Sequence, residues 1–261
     1  MTTDKKKWSS VVESFGQLLI RLPDDSRELV FVLLESFLYC DFFGTFPLVS
    51  NALESIPAEL VSNVSEVFLL PLAETGANGK AKSPSALLYP AAYDLIPYIT
   101  TFAGKKPIPY ERMELLEAQQ PNRSQSLIIF LDDFVGTGKT ALRTINRFKK
   151  NFAKPSDRFV VVAAVAQEQG IDKLTSQNIA IYTGVARQKG ISESTSIANR
   201  AAALAIMDGL ESRLGVSNGY RRGYGECEAL VALMRTPNNT FPIFWWPTTA
   251  SGDTWPAPFN R

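Results

Sequence analysis

The residues of this chain that could do chemistry gather in one short run. Asp132 and Asp133 are followed by Phe134 and Val135, and then by Gly136-Thr137-Gly138-Lys139-Thr140. The small residues let the backbone N–H groups of 137 to 140 converge. A helix opening at this point adds positive potential, and Thr137 and Thr140 add hydroxyl donors. Such a turn cradles a phosphate. The two carboxylates decide what the phosphate belongs to. They would repel a polyphosphate laid directly on them, but they accept hydrogen bonds from sugar hydroxyls. A ribose 5-phosphate satisfies both halves of the run.

Other readings of the same residues stay open. Gly138-Lys139-Thr140 matches the end of a Walker A loop, but the first glycine of that pattern falls on Asp133. Ile128 to Asp133 matches a Walker B strand. Its upstream partner would be Gly79-Lys80, which is followed by Ala81 and has Glu74 where a glycine belongs. Gly136-x-Gly138-x-x-Ala141 loosely matches a dinucleotide fingerprint, yet no acid ends the next apolar run, Arg158 to Val165. The plainest alternative is a glycine-rich strand-to-helix turn with two capping acids.

Composition narrows the chemistry further. The 261 residues include no histidine, which removes Ser-His-Asp triads, Cys-His dyads and histidine zinc sites. Cys40 and Cys227 cannot make an all-cysteine zinc site or a disulfide framework. Carboxylates, hydroxyls, Lys, Arg, backbone amides or a bound Mg2+ must therefore do the work. The 27 basic and 26 acidic residues leave a net charge of +1, so no strong nucleic-acid signal is present. Lys5-Lys6-Lys7 reads as a solvated terminus. Glu13, Gln17 and Arg21 interrupt any signal-peptide core. The apolar stretch Leu29 to Leu34 is too short for a membrane span. Free thiols then point to a cytoplasmic protein with no membrane association.

The elements that must position the run follow from the apolar pattern. Residues 8 to 63 read as helical. Pro23-Asp24-Asp25-Ser26 signals one helix start, with its run continuing to Tyr39, and Pro57-Ala58 signals another. Val67 to Leu72, Ser126 to Leu131, Arg158 to Val165, Ile179 to Tyr182 and Glu228 to Met234 read as buried strands. Helices are expected at 86–102, 139–152, 167–177 and 194–214, with a Pro-rich connector from Lys105 to Pro109. Alternation of this kind implies an α/β fold, a mostly parallel sheet flanked by helices. An N-terminal helical extension (1–65), an α/β domain (66–246) and an irregular Pro/Trp-rich tail (247–261) are the expected divisions. Ligands of such sheets sit at the carboxyl ends of the strands. The loops at 73–85, 132–140, 166 onward and 183–193 are therefore the ones to watch.

Residues 128 to 140 resemble the phosphoribosyl pyrophosphate (PRPP) signature of type I phosphoribosyltransferases: four apolar residues, two acids, two apolar residues, then small-Thr-Gly-x-Thr. Phe134 is larger than usual there. Gly136 stands where many purine-specific members have Asp, which argues against hypoxanthine- or adenine-type salvage. Residues from Gly223 to Trp245, including Pro237-Asn238-Asn239, resemble the C-terminal signature of a divergent phosphoribosyltransferase-like branch. That branch belongs to bacterial conflict systems, often anti-phage operons and some with retron reverse transcriptases.

The resemblance implies roles residue by residue. Asp132 and Asp133 would bind the ribose hydroxyls and stabilise charge developing at the sugar. Gly136, Thr137, Gly138, Lys139 and Thr140 would hold the 5-phosphate. Lys80, Lys82, Ser83 and Ser85 would meet the pyrophosphate of PRPP, and Asn238 and Asn239 would lie on the acceptor side. Mg2+ would be bound mainly by PRPP or nucleotide oxygens rather than by protein ligands. The implied protein is a phosphoribosyl-transferring toxin effector of antiviral defence. Its alternatives are a non-catalytic PRPP or nucleotide sensor, or a partner-binding subunit in a reverse-transcriptase complex, with a P-loop hydrolase further off. Homo-oligomerisation is compatible with all of them.

Overall fold

A computed structural model describes residues 2–72 and 83–261. In chain order its elements are α1 (Thr2–Arg21), α2 (Asp24–Glu35), β1 (Leu38–Tyr39), α3 (Phe42–Glu54), α4 (Ala58–Ser62), β2 (Glu66–Pro71), α5 (Ser83–Pro90), β3 (Pro107–Pro109), α6 (Met113–Gln119), β4 (Ser126–Val135), α7 (Lys139–Asn151), β5 (Arg158–Gln167), α8 (Glu168–Thr175), β6 (Ile181–Arg187), α9 (Arg200–Arg213) and β7 (Val231–Ala232). They form two compact units, one of Phe42–Arg187 and one of Met1–Asp41 with Gln188–Arg261. Among the described residues, no helix is long and apolar enough to cross a membrane.

The unit spanning Phe42–Arg187 is built on five parallel strands in the order β3-β2-β4-β5-β6. Leu127 to Leu131 and Val161 to Ala166 are fully buried. That is why these strands read as unbroken apolar runs rather than alternating ones: helices cover both faces. Helix α7 buries Ala141, Thr144, Ile145 and Phe148, a single stripe at helical spacing, and turns Lys149 and Lys150 outward. The stripe meets Ile128, Phe130, Val161 and Ala163 in one apolar cluster. The expected α/β class and parallel sheet are therefore what the chain forms.

Several boundaries differ from the sequence reading. The Pro-rich connector contributes a short edge strand, β3, because proline is tolerated where no ladder donor is needed. The helix expected at 86–102 stops at Pro90 and continues only as a wider turn over Ala91–Leu95 and two tight single turns. Pro90 and Pro97 remove the N–H donors that a regular helix needs. β6 begins at Ile181 rather than Ile179 and runs on to Arg187. α9 begins at Arg200, where Asn199 caps it by accepting from the Ala202 N–H. α2 ends at Glu35, and Leu38–Tyr39 instead pairs with β7.

The last correction matters most. The strand expected at Glu228 to Met234 is only Val231–Ala232, and it joins β1 in a separate two-stranded sheet. In that other unit Leu18 of α1, Leu22 just after it, and Val30 and Leu33 of α2 pack with Met207, Phe241, Phe244 and Phe259. Residues before Asp41 and after Gln188 thus share one core, which cuts across the 1–65, 66–246 and 247–261 divisions.

Glu211 is a titratable group inside this second core. It is fully buried on α9. Its Oε2 accepts from the Arg222 N–H at 2.8 Å, and its Oε1 has no hydrogen-bond partner. Burial pushes its pKa up to about 7, against the pull of that hydrogen bond, and nearby Asp208 adds to the rise. The folded state then keeps a proton that the unfolded chain releases at the ordinary value near 4.5. The stabilisation is complete below that ordinary value and is lost as pH rises through the folded pKa. Urea denaturation of wild type should show stability declining between about pH 5 and 8, and Glu211→Gln should flatten that decline, gaining about 1–3 kcal/mol over wild type at the alkaline end. Parallel curves for the two proteins would contradict the assignment.

Candidate functional site

Strand order fixes where a ligand can enter. β2 and β4 are neighbours, but the chain leaves β2 toward β3 on one side and leaves β4 toward β5 on the other. In parallel sheets a point where the connections part in this way, at the carboxyl ends of the strands, is where ligands enter. The carboxyl end of β4 carries Asp-Asp, and Gly-Thr-Gly-Lys-Thr follows it into α7. The loop after β2 is 73–82. Lys80 and Lys82 lie outside the described residues, and so do the side chains of Ser83 and Ser85, whose backbone opens α5.

β4 runs on past the expected Leu131 to Val135, so the two aspartates lie within its carboxyl end rather than in the loop after it. Asp132 pairs in register with Ala163, and Phe134 with Val165. In a regular strand the side chains of 132 and 133 would point to opposite faces. The Asp132 Oδ1 nevertheless accepts from the backbone N–H of Asp133 at 2.9 Å, so the two acids stay close enough to feel each other's charge. Asp133 is buried and Asp132 partly so. Burial, and after it the charge of Asp133, holds the Asp132 carboxyl well above the usual carboxylate range, although the Asp133 and Phe134 N–H groups pull the other way. Like charges this close cannot both ionise freely, so the pair retains a proton more readily than either acid would alone. It can donate to and accept from a vicinal diol.

The turn after the aspartates is shaped by glycine. Gly138 sits at φ +69° as the residue before α7, a conformation that L side chains rarely adopt. Its carbonyl accepts the first helical bond, from the Leu142 N–H at 2.9 Å. The Thr137 hydroxyl accepts from the Lys139 N–H at 3.4 Å. Lys139 and Thr140 are exposed, and the first turn of α7 holds no acid. First-turn N–H groups have no intrahelical partner, and the helix dipole favours an anion there. The start of α7 therefore presents Lys139 and Thr140 to solvent with no acid beside them.

Sequence reasoning missed the residue behind the turn. A Cβ on Gly170 of α8 would lie 2.2 Å from the Gly136 carbonyl oxygen and 3.1 Å from Val135 Cγ1. A Cβ on Gly138 would in turn lie 3.0 Å from the Gly170 carbonyl. The glycine turn thus rests directly on the backbone of α8. A glycine early in a helix that follows the neighbouring strand was the only available signal.

The remaining expectations fall elsewhere. Asn238 and Asn239 follow β7 and not a strand of the five-stranded sheet. The Asn238 carbonyl accepts from the Tyr224 N–H, and the buried Asn239 side chain donates to the Tyr224 carbonyl at 2.8 Å and to the Cys227 sulfur at 3.1 Å. They fasten a segment in which Arg222, Gly223, Gly225, Glu226 and Glu228 all have positive φ. The Glu228 carboxylate, also buried, accepts from the N–H groups of Ile191 and Ser192. The Gly223 to Trp245 signature therefore reads as the internal lacing of its unit. An open depression of about 820 Å3, lined by Ser62, Asn63, Gln125 and Arg158 among others, lies at the amino ends of the strands, away from the aspartates. Among the described residues, no three His, Cys, Asp or Glu side chains cluster as a metal cage.

Against known proteins, the family model described as PRTase-CE matches residues 21–261, almost the whole chain. No curated protein matches it.

The glycine contact is directly testable. Gly170→Ala should lower stability by about 1–3 kcal/mol, the usual cost of overpacking against backbone that cannot move away. Gly209→Ala, in α9 with nothing within 4 Å of its would-be Cβ, should raise it by about 0.5–1 kcal/mol. Denaturant midpoints measured side by side decide the matter, and equal effects at the two sites would refute the close approach.

Proposed function

We propose, for a chain that belongs to the PRTase-CE family of phosphoribosyltransferase-like proteins, that the β4–α7 site binds PRPP or a ribose 5-phosphate nucleotide and transfers the phosphoribosyl group. One observation carries the reading: two adjacent aspartates, the Asp133 N–H donating to the Asp132 carboxylate, lie near the carboxyl end of the strand beside the switch point, and a glycine-shaped helix N-terminus follows them. The diol of a ribose fits the pair, and its 5-phosphate fits the N–H groups of 137 to 140 with Lys139 beside them.

In the transfer, the bond between ribose C1 and the pyrophosphate oxygen breaks, and its electron pair leaves with pyrophosphate. The acceptor supplies the pair for the new C1 bond and releases its proton. Charge that builds on the sugar lies beside the aspartates, whose carboxylate oxygens stabilise it. The cradle fixes the phosphate end, so C1 is held in one place while the bond changes. Mg2+ fits a site of this kind, since it is commonly held by substrate oxygens with few protein ligands, and it would neutralise the pyrophosphate. By the family resemblance, Lys80, Lys82, Ser83 and Ser85, which come after β2 in the chain, would meet that leaving group. Likeness of residues 223–245 to the branch found in conflict systems supports an effector role in anti-phage defence, with a reverse transcriptase as one class of partner.

A second reading rests on the raised pKa of Asp132. A carboxyl that stays neutral binds a diol well but stabilises a cationic sugar less. That favours a sensor which binds the ligand without turning it over.

Titration calorimetry with PRPP and Mg2+ should show saturable binding that Asp133→Asn weakens at least about tenfold, the loss of one charge-assisted hydrogen bond. Asp132→Asn should also weaken binding, yet it should raise Tm near pH 8, because it removes a buried acid held against like charge; each kcal/mol relieved corresponds to about 2–4 °C. Pyrophosphate release separates transferase from sensor. Absence of PRPP binding up to millimolar concentration in the intact protein would overturn both.

A further inference from the structure

Two arginines of the second unit stand together without a counter-charge. Among the described residues, neither Arg235 nor Arg261 forms an ion pair. The fold sets them side by side. The buried Thr236 hydroxyl donates to the Asn260 carbonyl at 3.1 Å, so Arg235 and Arg261 flank a single hydrogen bond between two segments. The Phe259 N–H donates to the Phe244 carbonyl at 3.0 Å and ties the same stretch to the aromatic run that follows Phe244.

The Arg261 guanidinium does not project freely into water. Its carbon lies 5.0 Å from the centroid of the Trp245 ring and 5.8 Å from that of Tyr220. These rings form a fixed platform. Trp245 is buried, and its indole N–H donates to the Thr240 carbonyl at 2.8 Å. Its centroid stands 5.3 Å from that of Trp246 and 6.1 Å from that of Tyr220. Tyr220 also accepts a hydrogen bond from Arg261. A guanidinium carries several N–H donors in a planar fork, so one bond to a tyrosine leaves donors for another partner.

The charge balance here is poor. Partial desolvation, and with it the nearby charge of Arg235, holds Arg261 below the usual arginine range, although Tyr220 pulls the other way. No carboxylate is among the groups that act on it. The rings offset part of the desolvation through their negative faces. They do nothing for the repulsion between two cations. A further cation at this place would add to that repulsion, and an anion would relieve it. The planar fork suits carboxylate and phosphate oxygens, which it meets in pairs.

We infer that Arg235 and Arg261 form an oxyanion site on the second unit, with Arg261 set in place by Tyr220 and Trp245, and that its ligand presents a phosphate or a carboxylate. The inference does not rest on the ribose-phosphate reading of the β4–α7 turn.

All four tryptophans, Trp8, Trp245, Trp246 and Trp255, belong to this unit, so tryptophan emission reads it in the intact protein. Inorganic phosphate and succinate, titrated separately at fixed ionic strength, are the probes. At least one should change the emission saturably with a Kd of about 1–10 mM, as suits an exposed charge-assisted contact. The tighter of the two names the ligand's class. Arg235→Gln should weaken the response at least about fivefold, and so should Arg261→Lys, which keeps the charge but loses the fork. Asp133→Asn should leave it unchanged. Both arginines are exposed, so the variants should fold, and far-UV circular dichroism checks this. No saturable change with either probe up to about 50 mM would overturn the site. So would a response that both arginine variants retain, which is what general screening of charge gives. A response abolished by Asp133→Asn alone would overturn it too, by moving the anion to the β4–α7 turn. Failure of PRPP to bind leaves this site untouched.

Discussion

β4 has to meet two demands that conflict. Most of its length is buried between helical layers and must be apolar, yet it carries two acids near its carboxyl end. Burying carboxylates is costly unless they are hydrogen-bonded or protonated. The chain resolves this by turning the Asp133 and Phe134 N–H groups onto the Asp132 carboxyl, whose pKa burial and the charge of Asp133 hold high. The strain of keeping a proton at such a place is the kind of local disagreement with folding rules that functional sites retain. Everything else in the unit serves to hold this point still. β2 and β5 pair along both sides of β4, α7 packs its apolar stripe beneath, and α8 offers a bare glycine backbone against which the turn rests.

The second unit obeys a different logic. Its long C-terminal signature contains little regular structure, and its order comes from specific hydrogen bonds. Glu228 fastens the 190–192 turn, Asn239 fastens Tyr224, and Asp208 takes two bonds from Arg222 at 2.8 and 2.5 Å. Gly223 admits the Asn239 carbonyl to a place where a Cβ would stand 1.8 Å away. A motif dense in Gly, Glu and Asn looks like a ligand site in sequence. Here the same residue types are consumed in making a loop with many positive φ angles hold one shape. The aromatic residues nearby behave likewise: Phe244 is buried, and the Trp245 indole N–H donates to the Thr240 carbonyl.

Much of the fold was legible because the strands of a doubly covered sheet must be continuous apolar runs, and helices between them must carry one apolar stripe. Val67 to Leu72, Ser126 to Leu131 and Arg158 to Val165 could hardly be anything else. Short or edge elements were not legible. Pro107–Pro109 looks like a linker, since only its position at the sheet's edge makes proline acceptable there. The Glu228 to Met234 run has a strand's composition, but most of it is held by side-chain and loop contacts that leave no periodic trace.

The sequence by itself determined the local chemistry: the spacing of two acids, a glycine at the helix start and hydroxyls beside it is set by bonds between neighbours, which a linear chain displays. Only tertiary structure decided that Gly170 lies behind the turn and that β7 pairs with β1 rather than joining the main sheet. Each of these depends on residues far apart in the chain approaching within a few ångströms. Such approaches are fixed by how layers pack and which way elements run, quantities that no stretch of residues carries alone.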